Sequence, residues 1–375
     1  MKKIAFLYFE ELHHLHHFIG VVSEFIKQRK YEVNILTYEG EHEYLFELCD
    51  LLSIPQNAVI QLATYKTRKI YDKIRNRSIP SNKYLYEKHK AFILGYNALI
   101  FTDTNHGYLY SNCNSHNKPK FVYIKHGPSV GEYVLNDALN MFDLVLVSGL
   151  QSKNIFLENT ILDKEKIKLI GYCKKEVAKK ENNKKQFFKN GKEVVLYNPH
   201  FKKELSSWYK NGVEVLEYFY NQDEYNLIFA PHVNLFYKKG YAKENEIDKK
   251  YYNSPNILID LKSNNSVNMA YTLNSDVYLG DVSSQKLEFL LKPRPCIFIN
   301  SHNNDWGNDT LYRNNELGKI VKNIDDLGEL LSTKEEWQKG YLTNQKEIIN
   351  YTFDIDLEKS SCKRAMEEII KIIEV

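Results

Sequence analysis

Short apolar segments that alternate with helical segments recur along almost the whole chain, and this alternation most constrains the fold. The segments are strand-length, and most are followed by a polar turn and then by helical residues. Buried parallel strands with helices on both faces of the sheet have this pattern. The chain is therefore predicted to be α/β. The predicted strands are residues 4–9, 32–37, 98–102, 121–124, 144–147, 167–171, 194–197, 226–230, 257–260, 277–279 and 296–299.

A lysine-rich stretch divides the pattern into two halves. Residues 173–192 contain eight lysines and an Asn-Asn pair, and the strand pattern restarts at Val194. We expect an exposed connector there, with a Rossmann-like domain on each side and the two parallel sheets facing a cleft. The predicted divisions are 1–173 for the N-terminal domain, which we expect to bind the acceptor of the reaction discussed below, 174–192 for the connector, 193–350 for the donor-binding domain and 351–375 for a C-terminal helix.

The composition is typical of a soluble globular protein. Hydrophobic residues make up 43% of the chain and charged residues 26%. The apolar runs are shorter than the roughly 20 residues that span a bilayer. The five cysteines are scattered without paired spacing, which favours a reducing compartment. The first apolar stretch ends in acidic residues, so we interpret it as a strand rather than a signal peptide and expect a cytoplasmic protein.

Histidines follow closely on three of the predicted strands. They are His126, His200 and His232. Ligands of open parallel sheets bind beyond the carboxyl ends of the strands. Histidine titrates near neutral pH and can act there as a base, an acid or a hydrogen-bond donor to phosphate. We interpret these strand ends as site candidates, with a structural role for each histidine as the alternative.

The segment 274–300 predicts a strand, a polar turn, a helix and a second strand. The turn at 280–284 contains Asp281, Ser283 and Ser284, which are favourable residues at a helix N-terminus, and Pro293 ends the helix. Backbone N–H groups and hydroxyls that converge at a helix N-terminus can bind phosphate. A helix cap without a ligand is the alternative interpretation.

Four motifs in this order resemble those of the CDP-glycerol glycerophosphotransferase family. The resemblance spans about residues 120–310. It implies a GT-B-like fold and a role in building teichoic-acid-like or capsular polymers of the cell surface. The motifs are Lys125-His126-Gly127, the stretch from Val195 to Phe201, Pro231-His232, and the stretch from Ser275 to Ser284 followed by Lys292-Pro293.

The resemblance implies transfer of glycerol phosphate or a related polyol phosphate from a CDP-linked donor to a hydroxyl of a glycan or lipid-linked acceptor. His126 is then the general base, and His232 contacts the donor phosphates. Asp281 is expected to orient a neighbouring group, and Glu288 to hold the ribose hydroxyls or to be an exposed helix acid. No cofactor and no metal ion is expected. The implied donor-binding residues are Gly127, Asn198, His200, Asp281, Ser283, Ser284 and Glu288.

Departures from the family motifs leave the donor open. Lys125, His200 and Val282 stand where the family has tryptophan, threonine and tyrosine. One alternative is a glycosyltransferase that uses a CMP- or UDP-sugar. A second is a non-catalytic binding protein of the same pathway. A nucleotide-sugar epimerase shares the expected fold, but no clear acid/base pair of carboxylates is evident for it.

A cluster of histidines follows the first predicted strand at residues 13–17. We expect an acceptor-binding loop that uses His14 and His16, and a plain surface segment is the alternative. A metal site is disfavoured because adjacent histidines on a helix point in different directions and no other grouping in the sequence has metal-ligand spacing.

A basic amphipathic segment lies at residues 66–77. Its six basic residues are interleaved with Ile70, Tyr71 and Ile74. Such helices can lie on anionic membranes, so the segment predicts peripheral contact with the inner face of the cell membrane, with a solvated basic face as the alternative. A net charge of +3 and the absence of a recognised module argue against nucleic-acid binding.

Overall fold

The computed structural model describes residues 1–75, 77, 79–114, 117–128, 135, 137–182, 185–237, 240–306, 313–354 and 359–374. Two compact units make up the chain. The N-terminal unit consists of Met1–Glu181 and Asn350–Val375, and the C-terminal unit of Asn182–Ile349.

Both units are built around parallel strands. In chain order these are β1 (Lys2–Tyr8), β2 (Tyr31–Tyr38), β3 (Val59–Leu62), β4 (Ala98–Phe101), β5 (Lys120–Ile124), β6 (Leu144–Val147), β7 (Ile167–Leu169), β8 (Val194–Asn198), β9 (Asn226–Phe229), β10 (Ile257–Ile259), β11 (Val277–Gly280), β12 (Cys296–Ile299) and β13 (Lys319–Val321).

Helices connect most of the strands. They are α1 (Ile19–Gln28), α2 (Glu43–Leu51), α3 (Lys66–Ile74), α4 (Asn82–Ile93), α5 (Gly107–Ser111), α6 (Leu150–Asn159), α7 (Cys173–Asn182), α8 (Trp208–Tyr220), α9 (Asn234–Tyr237), α10 (Lys249–Tyr252), α11 (Ala270–Asn274), α12 (Gln285–Phe289), α13 (Asn314–Leu317), α14 (Leu327–Ser332), α15 (Lys334–Trp337), α16 (Leu342–Phe353) and α17 (Ser361–Ile373).

The two sheets share one topology around their first strands. In the N-terminal unit seven strands pair in the order β3-β2-β1-β4-β5-β6-β7, and in the C-terminal unit six pair in the order β10-β9-β8-β11-β12-β13. Each recorded pairing is parallel. Central strands such as β4 and β11 are buried along their whole length, as expected when helices cover both faces of a parallel sheet. The predicted α/β fold is confirmed.

Two edge strands were missed by the sequence analysis. β3 and β13 lie at the outer edges of their sheets, and each is partly exposed. An edge strand contacts one neighbour only, so its residues need not form a continuous apolar run. β3 and β13 therefore lack the long hydrophobic runs from which the central strands were predicted.

The C-terminal helix α17 lies in the segment 351–375, where a helix was predicted, and it packs within the N-terminal unit. Ala365, Met366 and Ile369 are buried in the same apolar core as β1 and α1. A Cβ atom on Gly20 of α1 would lie 2.5 Å from Cys362 Sγ, so the two helices are in close contact. The apolar face of α17 therefore completes the first core.

The predicted connector at 174–192 begins as part of a helix, which corrects the expectation of an exposed segment there. α7 buries Val177 and Ala178 against the N-terminal unit, while Lys179 and Lys180 are exposed. This helix was not predicted from the sequence because it has many lysines and only a small apolar face. Residues 183–184 lie outside the described part of the chain.

None of the helices in the described ranges combines the length and the hydrophobicity that crossing a bilayer requires.

Candidate functional site

Three neighbouring strands of the N-terminal unit, β1, β4 and β5, end beside one another and bring a group of polar side chains together. The segment after β1 forms a 3-10 helix at Leu12–His17. His14 Nδ1 lies 2.9 Å from Thr102 Oγ1, and His126 Nδ1 lies 2.6 Å from the carbonyl oxygen of Thr102. The rings of His14 and His126 have centroids 4.1 Å apart. The structure thus places one predicted acceptor-binding residue against the predicted base.

The hydrogen bond of His126 fixes its tautomer. A carbonyl oxygen accepts hydrogen bonds and cannot donate them, so His126 Nδ1 carries the hydrogen and the neutral ring has its lone pair on Nε2. Burial, followed by the charge of Lys125, lowers the pKa of His126 to about 4. The ring is therefore in its basic form at neutral pH. An anionic ligand beside it would raise this pKa and make the ring a stronger base.

The turn that carries His126 is held by its two neighbours. Gly127 has a φ of +69°, a backbone conformation that glycine adopts at little cost. Its N–H donates to His17 Nε2 at 3.2 Å, and its carbonyl oxygen accepts from Lys125 Nζ at 2.7 Å. Burial lowers the pKa of Lys125 to about 7. Gly127 and Lys125 thus shape the backbone that positions His126.

His16 differs from the expected acceptor-binding residue. Its side chain is fully buried, and its Nε2 lies 2.9 Å from Glu181 Oε2 and 3.1 Å from the hydroxyl of Tyr44. Tyr44 also donates to Glu181 Oε1 at 2.7 Å. This buried network links the 3-10 helix to α2 and α7, so we assign His16 a structural role.

A pair of acidic residues at the ends of β1 and β4 was not singled out from the sequence. Burial, followed by the charge of Glu10, raises the pKa of Asp103 to about 7. Glu10 accepts from Asn82 Nδ2 at 2.7 Å and from Asn105 Nδ2 at 3.2 Å. Glu10 and its two amide partners lie at a cavity of about 490 Å³ with aromatic walls, lined by Phe9, Glu10, Ile79, Pro80, Ser81, Asn82, Lys83, Tyr86, Asn105 and Tyr108. Glu10 and Asp103 come directly after two predicted strands, and this position is the sequence feature that could have identified them.

In the C-terminal unit the buried carboxylate of Asp281 joins two strand ends. β8 and β11 are neighbours, so the turns that follow them meet. Asp281 accepts from the backbone N–H of His200 at 2.9 Å, and from the N–H and hydroxyl of Ser207 at 2.7 and 2.9 Å. Burial raises the pKa of this carboxyl to about 6, while the hydrogen bonds act in the opposite direction. Asp281 thus fixes the turn that carries His200.

Ser284 is the N-cap residue of α12, as the turn at 280–284 predicted, but the expected side-chain cap is absent. Asp281 bonds the loop after β8 rather than the start of α12, and Ser284 has helical dihedral angles without a side-chain cap. Of these three side chains, that of Ser283 contacts the helix start, accepting from the N–H of Gln285 at 3.4 Å. The cap pattern predicted the turn correctly, but a longer-range partner for Asp281 replaced the local one.

His200 and His232 share a tautomer that is opposite to that of His126. His200 Nδ1 accepts from the N–H of Lys202 at 3.2 Å, and His232 Nδ1 accepts from the N–H of Asn234 at 3.2 Å. Each neutral ring therefore carries its hydrogen on Nε2 and is a donor there. Burial lowers the pKa of His200 to about 3, which keeps this ring neutral. The ring centroids are 5.7 Å apart, so the two donors form one group.

Two other predicted donor-binding residues are internal. Asn198 is fully buried and donates to the carbonyl oxygen of Ala230 at 2.5 Å, which ties the ends of β8 and β9 together. Glu288 is 5% exposed, so the alternative of an exposed helix acid is wrong. Ser283 is also buried, whereas Ser284 is partly exposed.

Lys286 and Asn314 form a buried contact that sequence reasoning missed. Lys286 Nζ donates to Asn314 Oδ1, and Asn314 Nδ2 donates to the carbonyl oxygen of Asp281 at 3.1 Å. Both residues are almost inaccessible to solvent. The Lys286 amine therefore lies within the framework of the Asp281 turn, where it supports the backbone next to Val282.

A candidate metal cluster in the N-terminal unit contrasts with the expectation that no metal would be involved. A ring nitrogen from each of His13, His14 and His126 lies within 4.8 Å of the others. The sequence alone places only the histidines at 13–17 next to one another. The missing third ligand follows β5, more than one hundred residues further along the chain.

Each unit thus carries a Rossmann-like parallel sheet with polar side chains gathered at the carboxyl ends of its strands, and together these features define a GT-B-like α/β protein. Residues 86–370 match the family described as CDP-Glycerol:Poly(glycerophosphate) glycerophosphotransferase. The chain belongs to this family, and the resemblance inferred from its motifs is confirmed. No curated protein matches the chain.

Solved structures of the same fold include the wall teichoic acid polymerase TagF. It is 14% identical with a TM-score of 0.62, and the match covers 100% of this chain and 88% of that one. A TagF variant soaked with CDPG is 15% identical with a TM-score of 0.63 and coverages of 100% and 88%. UDP-GlcNAc 2-epimerase from Neisseria meningitidis, bound to UDP-GlcNAc, is 13% identical with a TM-score of 0.60 and coverages of 99% and 100%. At these identities the likeness shows the fold alone.

Replacing Asp281 by alanine tests the role of its carboxylate. The change leaves the buried donors of His200 and Ser207 without an acceptor, so we expect the free energy of unfolding to fall by about 3 kcal/mol. Urea denaturation measures the difference. Asp223→Ala is the matched control, because the Asp223 side chain is 95% exposed and its loss should change stability by less than about 0.5 kcal/mol. Equal effects of the two changes would refute the role of Asp281.

Proposed function

We propose that the protein transfers glycerol phosphate, or a related polyol phosphate, from a CDP-linked donor to a hydroxyl of a glycan or lipid-linked acceptor during assembly of a cell-surface polymer. Membership of the glycerophosphotransferase family supports this reaction class. The observation that carries the proposal for individual residues is the opposite tautomers of the strand-end histidines. His126 presents a lone pair on Nε2, whereas His200 and His232 present an Nε2–H.

His126 is proposed as the general base. A hydroxyl group is a poor nucleophile until its proton is removed, and a positioned neutral imidazole can remove it. The acceptor oxygen then bonds to the phosphorus that carries the glycerol, and the bond from that phosphorus to the bridging oxygen of the donor breaks. The proton remains on His126 Nε2, and CMP leaves with the bridging oxygen.

His232 and His200 are proposed to contact the donor phosphates. Their Nε2–H groups can donate to phosphate oxygens and stabilise the negative charge that develops on the leaving nucleotide. Ser284, which is partly exposed, is proposed to contact the same end of the donor, and Glu288 to hold the ribose hydroxyls. Asn198 and Asp281 act on the donor indirectly, because their side chains hold the turns that carry these residues.

Acceptor binding is proposed for the N-terminal unit and donor binding for the C-terminal unit. The cavity beside Glu10 supports the first assignment. Its aromatic walls and its amide and carboxylate groups suit a polyol or sugar, which presents hydroxyls together with apolar C–H faces. It opens at the ends of β1 and β4, the second of which leads directly into Thr102.

The helix α3 is proposed to contact an anionic membrane surface. Ile70 and Ile74 are 62% and 74% exposed, and Tyr71 is 42% exposed. Lys66, Lys69 and other basic residues lie on the same short helix. Exposed apolar side chains among basic ones suit the boundary between headgroups and acyl chains. An enzyme acting on a lipid-linked acceptor would be held near its substrate in this way.

Histidine substitutions separate the two proposed roles. His126→Gln should lower the turnover number by roughly 10²–10⁴-fold, the contribution of a general base, while the affinity for CMP stays nearly unchanged. His232→Ala should weaken CMP binding and raise KM for CDP-glycerol. The turnover number is measured from the release of CMP, and the affinity for CMP is measured from the thermal stabilisation that CMP produces. His89→Gln is the control, since His89 bonds the backbone of Ala63 and has no proposed role.

The same measurements discriminate the alternatives. A ligand at 100 times its dissociation constant stabilises a protein by about 2.7 kcal/mol, which is a readable shift. Stabilisation by UDP rather than CMP or CDP would favour a glycosyltransferase. No response to any nucleotide would favour a binding protein without catalysis. Loss of CMP binding in His126→Gln would contradict the assignment of His126 as base.

Removing charge from α3 tests its membrane contact. The triple change Lys66→Gln, Lys69→Gln and Lys73→Gln should weaken binding to vesicles that contain phosphatidylglycerol by about 3 kcal/mol, since each basic residue near an anionic surface contributes about 1 kcal/mol. Co-sedimentation with vesicles measures the change.

The control is a second triple change at exposed lysines outside α3, namely Lys339→Gln, Lys346→Gln and Lys363→Gln. It removes the same charge and should leave vesicle binding nearly unchanged. Equal losses in the two triple variants would show that net charge rather than α3 is responsible, and that result would remove the proposal.

A further inference from the structure

The rings of His13, His14 and His126 lie together at the end of the N-terminal sheet. The proposed reaction uses His126 but does not require the three rings to form a group. The centroids of His13 and His14 are 4.4 Å apart, and those of His13 and His126 are 5.8 Å apart. A ring nitrogen of each lies within 4.8 Å of the other two. Nitrogen ligands of tetrahedral zinc lie roughly 3.3 Å apart, given a metal–nitrogen distance of about 2.0–2.1 Å. Small side-chain rotations would therefore close the group around an ion.

In each of the three rings, Nδ1 has an oxygen atom beside it, so Nε2 is the nitrogen that we assign to the ion. His14 Nδ1 is 2.9 Å from Thr102 Oγ1, and His126 Nδ1 is 2.6 Å from the Thr102 carbonyl oxygen. His13 Nδ1 is 3.5 Å from a carboxylate oxygen of Glu11. Histidines that bind metal ions typically use one nitrogen as ligand while the other bonds a carboxylate, a carbonyl or a hydroxyl, which fixes the orientation of the ring. All three rings have this outer partner, and in each the partner is on Nδ1.

The ligand set selects the kind of ion. Imidazole nitrogens suit zinc and its neighbours in the first transition row, whereas magnesium and calcium prefer oxygen ligands. Three protein ligands also leave a fourth position for water or another molecule. His14 is almost completely buried, but the side chain of His13 is 36% exposed, so an ion can approach from the His13 side.

We propose that His13, His14 and His126 bind a divalent transition-metal ion such as Zn²⁺ through their Nε2 atoms, and that the bound ion prevents His126 from acting as a base. The site itself does not depend on the proposed reaction. Its inhibitory effect rests on the proposed role of His126, because a lone pair bonded to a metal ion cannot accept a proton. Zinc would thus be a reversible inhibitor of the transferase.

Cobalt provides a direct test of the site. Tag-free protein, treated with a chelator and then freed of it, is titrated with Co²⁺, whose visible absorption reports coordination by nitrogen ligands at low coordination number. Wild-type protein should bind about one equivalent, and an excess of Zn²⁺ should displace it. His13→Gln should weaken binding roughly tenfold or more, the scale on which metal sites respond to altered ligand shells. His89→Gln is the matched histidine control and should bind as the wild type does.

The activity assay then tests the consequence. His13 has no role in the proposed reaction, so His13→Gln should keep the turnover of the wild type without metal but should lose most of its inhibition by Zn²⁺. Unchanged Co²⁺ binding in His13→Gln, or no spectral change in the wild type, would overturn the metal site. If cobalt binds as expected but no transfer from CDP-glycerol occurs, the proposed function fails and the metal site stands.

Discussion

The hydrogen bond between His126 Nδ1 and the carbonyl oxygen of Thr102 determines what the strand-end histidine of the N-terminal unit can do. It exists because β4 and β5 are hydrogen-bonded neighbours that run in the same direction, so their carboxyl ends emerge side by side. The carbonyl accepts from Nδ1 and leaves the lone pair of the neutral ring on Nε2. A base, and equally a metal ligand, needs that lone pair. Both proposals for His126 therefore depend on one backbone contact.

The C-terminal unit uses the same strand-end geometry with the opposite hydrogen-bond direction. There a backbone N–H two residues further along the chain donates to Nδ1 of His200 and of His232, so each ring becomes a donor at Nε2. The carboxylate of Asp281 keeps the His200 turn in place through its bonds to two backbone N–H groups and one hydroxyl. Histidines at the strand ends of the two units thus have opposite tautomers because their backbone partners differ.

Much of the fold followed from the sequence, because strands buried on both faces consist of continuous apolar runs. The edge strands β3 and β13 lack such runs and were missed. The sequence also located His126 and Asp281, since their position after a strand follows from the strand itself. It could not show that Asp281 bonds Ser207 or that His16 bonds Glu181, which are 74 and 165 residues apart along the chain. Hydrophobic periodicity reports which face of an element is buried, but it carries no information about distant polar partners.

The most direct test of this account is the tautomeric state of the three histidines, measured by nitrogen-15 NMR of protein labelled in its imidazole rings, with His126→Gln, His200→Gln and His232→Gln used for assignment. The account predicts that, at neutral pH, the hydrogen lies on Nδ1 in His126 and on Nε2 in His200 and His232. A neutral His126 with its hydrogen on Nε2 would contradict both its role as base and its role as metal ligand.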